Sequence, residues 1–190
     1  VNVIWKVLVT LVSQKLPRYV DARPQDIQIL TPMRKGALGV ENLNQILQKY
    51  LNPPAPDKAE RENGGNILRE GDKVMQIKNN YQQEWKVYGE SKNGNGFGYV
   101  VDEGVGVFNG DMGVITDISD YDEELTILFD DGRTSVYDFK SLDQIEHAFA
   151  VTIHKSQGSE YPAVIIPLLG GNKRLMNRNL IYTAITRARQ

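Results

Sequence analysis

Apolar positions follow two periods along this chain, and the switch between them divides it. Residues Val1 to Leu16 carry the three-to-four spacing of an amphipathic helix, which Pro17 is expected to close. Ile27-Gln28-Ile29-Leu30 then reads as a short strand running into the loop Thr31 to Gly36. Val40, Leu43, Ile46, Leu47, Tyr50 and Leu51 restore helical spacing until Asn52-Pro53-Pro54 ends it. A strand, a loop and a helix in that order form the building block of an α/β layer. Ala55 to Asn66 is polar and rich in Pro, Gly and charge, and is expected to be a linker.

After Gly71 the period shortens to two. Val74, Gln76 and Lys78 alternate with Met75 and Ile77, and further short strands are predicted at Gly113 to Ile118, Leu125 to Phe129 and Ser135 to Phe139. Turn clusters Asn109-Gly110-Asp111 and Asp130-Asp131-Gly132 separate them, so residues 67–146 are expected to form a small antiparallel barrel. The glycines of SKNGNGFGYVVDEGVG mark a flexible loop or long hairpin; GNGFG resembles part of a dinucleotide fingerprint but has no strand–turn–helix context. From Ala148 the α/β character returns: an apolar strand to Ile153, the polar run His154 to Glu160, a second strand Ala163 to Leu168, a glycine turn, and a final helix in RNLIYTAITRARQ. The pattern predicts one α/β domain, residues 1–66 and 147–190, interrupted by the barrel.

Composition adds exclusions. With 41% hydrophobic and 24% charged residues a packed core is expected. No cysteine is present, which excludes disulfides and thiolate metal sites and fits a reducing compartment. The longest apolar piece, VIWKVLVTLV, is interrupted by Lys6 and falls short of a bilayer span, so no membrane partner is expected. The net charge of −2 conceals segregation: Asp102 to Glu146 holds thirteen acids against Arg133 and Lys140, whereas His147 to Gln190 holds six Lys or Arg against Glu160 alone. An anionic partner suits the second segment and not the first. Because the chain begins at Val1 and stops at Gln190 inside a helical pattern, it is expected to be a fragment of something longer.

Candidate chemistry gathers in the basic segment. On the final helix Ile181, Ala184, Ile185 and Ala188 fall on one face and Thr183, Thr186, Arg187 and Gln190 on the other. Arg187 would then face outward, to meet phosphate oxygens or to make a surface ion pair. After the first of the two late strands, Lys155 offers a point charge, Ser156 and Gln157 short-range donors, and Gly158 close backbone approach, a set suited to gripping a sugar-phosphate strand. His154 fits a nucleotide contact or a structural role, and Glu160 fits a ribose hydroxyl or an ion pair. Arg34 leaves the first strand at its carboxyl end, where open α/β sheets place ligands. No GxxxxGK[ST] loop, nucleophile elbow or metal-ligand spacing occurs, so no metal site is expected.

Together these residues carry a family pattern. VTIHKSQGSEYPAVII resembles motif V of superfamily 1 helicases and NLIYTAITRAR their motif VI, while DIQILTPMRKGALGVENLNQILQKYLNPP, GDKVMQIKNNY and VFNGDMGVI resemble the RecD-like branch, the exodeoxyribonuclease V alpha-chain type. Only the long piece Gln82 to Gly106 departs from that pattern. The resemblance implies a second RecA-like motor domain, a parallel-sheet domain of the P-loop NTPase type without Walker loops, interrupted by an SH3-like barrel. It implies that a first RecA-like domain of the same chain holds ATP and Mg2+, and that the fragment alone holds neither and is inactive. Arg187 would be an arginine finger and Arg34 a motif IV arginine sharing its duty at the γ-phosphate. Glu160 would lie near the ribose with Gly158 in the same ATP site, while Thr152, His154, Lys155, Ser156 and Gln157 would line a single-stranded DNA track or couple it to that site. A bacterial cytoplasm and a role in DNA repair or recombination are the family's expectation. The acidic barrel leaves a protein partner open, and a non-catalytic binding module, an RNA helicase and a relaxase helicase stand as alternatives.

Overall fold

The computed structural model describes residues 2–89, 98–168 and 178–189. The chain divides into two compact units, residues 1–53 with 149–190 and residues 54–148. The expected linker is structured, and the second compact unit runs from Pro54 to Ala148.

In the first unit, α1 (Asn2–Thr10) passes into a π-helical stretch at Leu11–Lys15 and on into α2 (Leu16–Val20). Pro17 therefore does not close the helix. It stands in the first turn of α2, and the widened Leu11–Lys15 turn, in which the Leu16 N–H reaches back to the Leu11 carbonyl, accommodates a residue that cannot donate a backbone hydrogen bond. Asp21, left-handed at φ 49°, ends the run. β1 (Ile27–Thr31) is buried along its whole length, as befits a strand covered on both faces. The Gln28 amide within it donates to the Phe149 carbonyl at 3.3 Å. α3 (Val40–Leu51) follows a tight loop that needs glycine at 39, where a Cβ would lie 2.5 Å from the Lys35 carbonyl carbon.

The second unit opens with β2 (Glu60–Asn63) and β3 (Asn66–Arg69), joined through Gly64 and Gly65 at φ 57° and 81°. Two adjacent positive φ values give the turn that matches strand twist, so a stretch read as linker is a hairpin. Seven further strands are β4 (Lys73–Gln76), β5 (Asn80–Tyr88), β6 (Val100–Val107), β7 (Met112–Ser119), β8 (Glu124–Phe129), β9 (Thr134–Asp138) and β10 (Ile145–His147). They form one antiparallel sheet in the order β10-β4-β7-β8-β9-β5-β6. Leu68, Val74, Ile115, Leu125, Ile127, Tyr137 and Leu142 are its buried centre. Phe139, expected in a strand, instead starts a 3-10 turn where the Asp138 carboxylate accepts from the Lys140 N–H at 2.7 Å. Residues 91–97 of the glycine-rich hairpin lie outside the described residues, as does the expected glycine turn after Leu168.

Returning to the first unit, β11 (Ala150–Thr152) and β12 (Ala163–Ile165) flank β1, all three parallel, and α4 (Arg178–Ile185) follows. Leu8, Val12, Ile27, Ile29, Leu43, Leu47 and Phe149 make its buried cluster. Among the described residues no helix is long and apolar enough to cross a membrane.

Candidate functional site

Parallel pairing decides where the candidate residues stand. Thr31 of β1 lies beside Thr152 of β11, and the Ile153 N–H donates to the Thr31 carbonyl at 3.1 Å, so the segments after both strands leave from one edge of the sheet. Arg34 follows β1 there, and His154 to Gly158 follow β11. The segment then returns to the opposite edge, because β12 begins with Ala163 level with Ile27, the first residue of β1. Tyr161, two residues before Ala163, thus sits near the amino ends of the strands, while the Ser159 N–H still donates to the Ser156 carbonyl at 3.1 Å.

At the carboxyl edge the segment is a run of tight turns. Lys155 and Ser156 donate their N–H groups to the Thr152 carbonyl at 3.0 and 3.2 Å, and the Thr152 hydroxyl also accepts from the Lys155 N–H at 3.3 Å. His154, Gln157 and Gly158 are exposed and Lys155 half-buried. Gly158 has φ 89°, a conformation L side chains avoid. Ser156 departs from its expected role. It is 0% exposed and its hydroxyl donates to the Ile153 carbonyl at 2.8 Å, so it braces the turn and offers nothing to a strand outside.

At the amino edge the segment meets the end of α4. That helix stops at Ile185, not at the chain end: the Arg187 and Ala188 N–H groups bond back three residues to Ala184 and Ile185, and the backbone then pairs with Tyr161. The Tyr161 N–H donates to the Arg187 carbonyl and the Arg189 N–H to the Tyr161 carbonyl, both at 2.8 Å. Ala184 is buried as the helical pattern requires, but Ile185, the last residue of the helix, is exposed. The Arg187 guanidinium lies along this seam. Its Nε reaches the Thr183 carbonyl at 3.3 Å, Nη1 the Ser159 carbonyl at 3.4 Å and Nη2 the Thr186 hydroxyl at 3.4 Å. Three long contacts to neutral oxygens hold it in place without neutralising it. Among the described residues neither Arg187 nor Glu160, one residue beyond Ser159, makes an ion pair.

Arg34 is not brought to Arg187. It sits past the carboxyl end of β1, half-exposed, with Nε 3.4 Å from the Glu41 carboxylate. Five residues of β1 at ~3.3 Å each separate the two edges by roughly 13 Å.

Sequence reasoning passed over Asn44. Buried in α3, its side chain accepts from the Ala150 N–H at 2.7 Å and donates to the Ala150 carbonyl at 3.0 Å, acting as a strand partner on the outer side of β11. The signal was a polar residue between Leu43 and Leu47 on the apolar face. Charge divides with the units: thirteen Lys or Arg against four acids in the first, nine against twenty in the second.

A family model described as the SH3 domain of ATP-dependent RecD-like DNA helicases matches residues 43–129, and one described as the UvrD-like helicase C-terminal domain matches residues 147–190. The chain is 34% identical over 170 residues to the ATP-dependent RecD2 DNA helicase of Deinococcus radiodurans, a match covering 87% of this chain and 19% of that protein. It is 38% identical over 88 residues to the RecBCD enzyme subunit RecD of Mycolicibacterium smegmatis, covering 46% and 15%. Among solved structures it is similar to Bacteroides Pif1 bound to ssDNA, with TM-score 0.50, 16% identity and coverage of 86% and 38%. The chain spans less than a fifth of the length of the two curated relatives.

Proposed function

The chain belongs to the RecD-like branch of superfamily 1 helicases, and from that premise we propose that it is the C-terminal motor part of an ATP-dependent DNA helicase. In this reading the amino edge of the parallel sheet faces nucleotide, with Arg187 donating to the γ-phosphate and Glu160 accepting from the ribose. The carboxyl edge faces single-stranded DNA through Thr152, His154, Lys155 and Gln157. Arg34, which leaves β1 at that same edge, is read here with the strand-facing set, and Ser156 supports the turn from within. ATP binding and its Mg2+ belong to a preceding RecA-like domain. Among the described residues no group of His, Cys, Asp or Glu is gathered to hold a metal. One segment, residues 153–162, joins the two edges, so a pull on Arg187 at one end is transmitted to the grip at the other.

The observation that supports the reading best is the unneutralised guanidinium of Arg187, fixed at the seam with the segment bearing Glu160. An arginine finger contributes ~10³–10⁵ to the rate of phosphoryl transfer. Arg187→Ala in the complete helicase is expected to lower DNA-stimulated ATP turnover by about that range while single-strand affinity stays within about threefold. Near-normal turnover would remove the assignment. A binding module with vestigial motifs would be indifferent to the same substitution.

A further inference from the structure

The seven-stranded sheet of the second unit ends on β6, and among the described residues no strand pairs with its outer side. An open edge presents unsatisfied N–H and C=O groups, and proteins ordinarily keep such edges short, charged or covered. Here the edge strand is eight residues long, and apolar side chains stand exposed along it: Val101 is 58% exposed and Val105 63%, with Tyr99 at 66% just before. Glu103 shares a face with Val105 and lies opposite Lys86 of β5, Asp102 faces the other way opposite Val87, and Val101 is the extra residue of a bulge beside them.

Charge selects what can occupy this edge. Nucleic acid is disfavoured, since phosphate contacts require Lys or Arg and this unit carries nine of them against twenty acids. A second copy is disfavoured as well. Antiparallel pairing of β6 with itself centred on Asp102 and Glu103 would set their carboxylates against one another, and like charges directly across a ladder destabilise it. We propose that β6 is a docking edge for a protein partner supplying an extended basic segment, its backbone adding as a further strand. Two adjacent Lys or Arg would meet Asp102 and Glu103, one on each face, and aliphatic residues flanking them would cover Val101 and Val105. This does not depend on the ATPase reading, because it concerns the other unit and a different ligand.

The test uses the whole 190-residue chain and a fluorescent decapeptide in which adjacent Lys pairs are flanked by Val, followed by anisotropy at about 150 mM salt to suppress weak surface attraction. Saturable binding is expected, with a Glu/Val peptide weaker by about tenfold or more, and with D102K/E103K weakening the Lys/Val peptide by a similar factor. Amide exchange at Val100 to Val105 is expected to slow when the peptide binds, which distinguishes strand addition from loose attraction. Val101→Thr/Val105→Thr, which leaves the charges alone, is expected to weaken binding by a smaller factor and gives an independent reading if the charge-reversed chain does not fold. Unchanged affinity in the variants, protection elsewhere, displacement of the peptide by oligothymidylate, or a dimer abolished by D102K/E103K would each overturn the proposal.

Discussion

Tyr137 shows how a single side chain in the second unit ties stability to pH. It is buried, and its hydroxyl donates to the Gln76 side chain at 3.1 Å. Burial pushes its pKa well above the ordinary tyrosine value of 10.0, and a hydrogen bond with Ser135 draws it back only in part. The native state therefore keeps a proton that the unfolded chain gives up near pH 10. Stability from this group is complete below that pH and falls as pH rises above it, by about 1.4 kcal/mol per unit. Tyr137→Phe is expected to cost about 1 kcal/mol at pH 8 through the lost hydrogen bond. Urea midpoints measured from pH 8 to 11.5 should show the two proteins converging above pH 10, and parallel curves would contradict the argument. Ser156 gives the complementary case. Ser156→Ala removes the bond to the Ile153 carbonyl and is expected to lower stability by about 1 kcal/mol. Single-strand affinity, read by anisotropy, should change less than about twofold if the hydroxyl only braces the turn. Spacing placed Ser156 beside Lys155 and Gln157 correctly, but which of three adjacent polar residues turns inward is decided by the turn's own hydrogen bonds. Arg34 likewise stood out only as a cation, and strand register is what sets it at the carboxyl edge beside the segment after β11.

At the level of elements, period and punctuation carried most of the fold, and the failures have local causes. A proline in a helix removes one donor, yet a single widened turn absorbs it, which an apolar period cannot reveal. Asn63-Gly64-Gly65-Asn66 was read by its polarity, when adjacent glycines able to take positive φ are themselves a hairpin signal. The α3–β11 contact was the hardest to foresee, since a partner 106 residues away leaves no trace in local pattern. It also matters most to the site, because β11 delivers Thr152 to Gly158. Asn44→Leu keeps the volume roughly constant but strands both polar groups of Ala150. It is expected to cost about 2–4 kcal/mol, each buried unsatisfied group contributing about 1–3. Asn44→Asp keeps the acceptor for the Ala150 N–H but sets a carboxylate against the Ala150 carbonyl, and should be at least as damaging. Thermal unfolding of the three proteins checks the order. If Asn44→Leu unfolds within a degree or two of the wild type, the clamp is dispensable.

For the whole molecule, the net charge of −2 is the sum of two opposed units, roughly +9 and −11 by the counts above. The sequence already showed an acidic stretch before a basic one; the fold adds the amino-terminal residues 1–53 to the basic side, because β1 is the central strand between β11 and β12. A chain of near-zero net charge is ordinarily a poor polyanion ligand, but affinity follows local contacts, and each phosphate neutralised releases counterions. For a single strand the slope of log Kobs against log salt is about −0.7 per contact. Lys155→Gln is therefore expected to flatten the slope for an oligothymidylate by about 0.7, and Arg34→Gln by a similar amount if Arg34 belongs to the strand-facing edge. Lys140→Gln, which removes the same charge from the acidic unit, should leave the slope unchanged. Equal effects at all three positions would mean that binding follows net charge alone, and a change at Lys140 without one at Lys155 would transfer the strand track to the other unit. Arg34 is the sharpest arm of the experiment. If its replacement reduces ATP turnover in the complete helicase but leaves the salt slope intact, it acts at the nucleotide after all, and the division of labour between the two edges of the sheet fails.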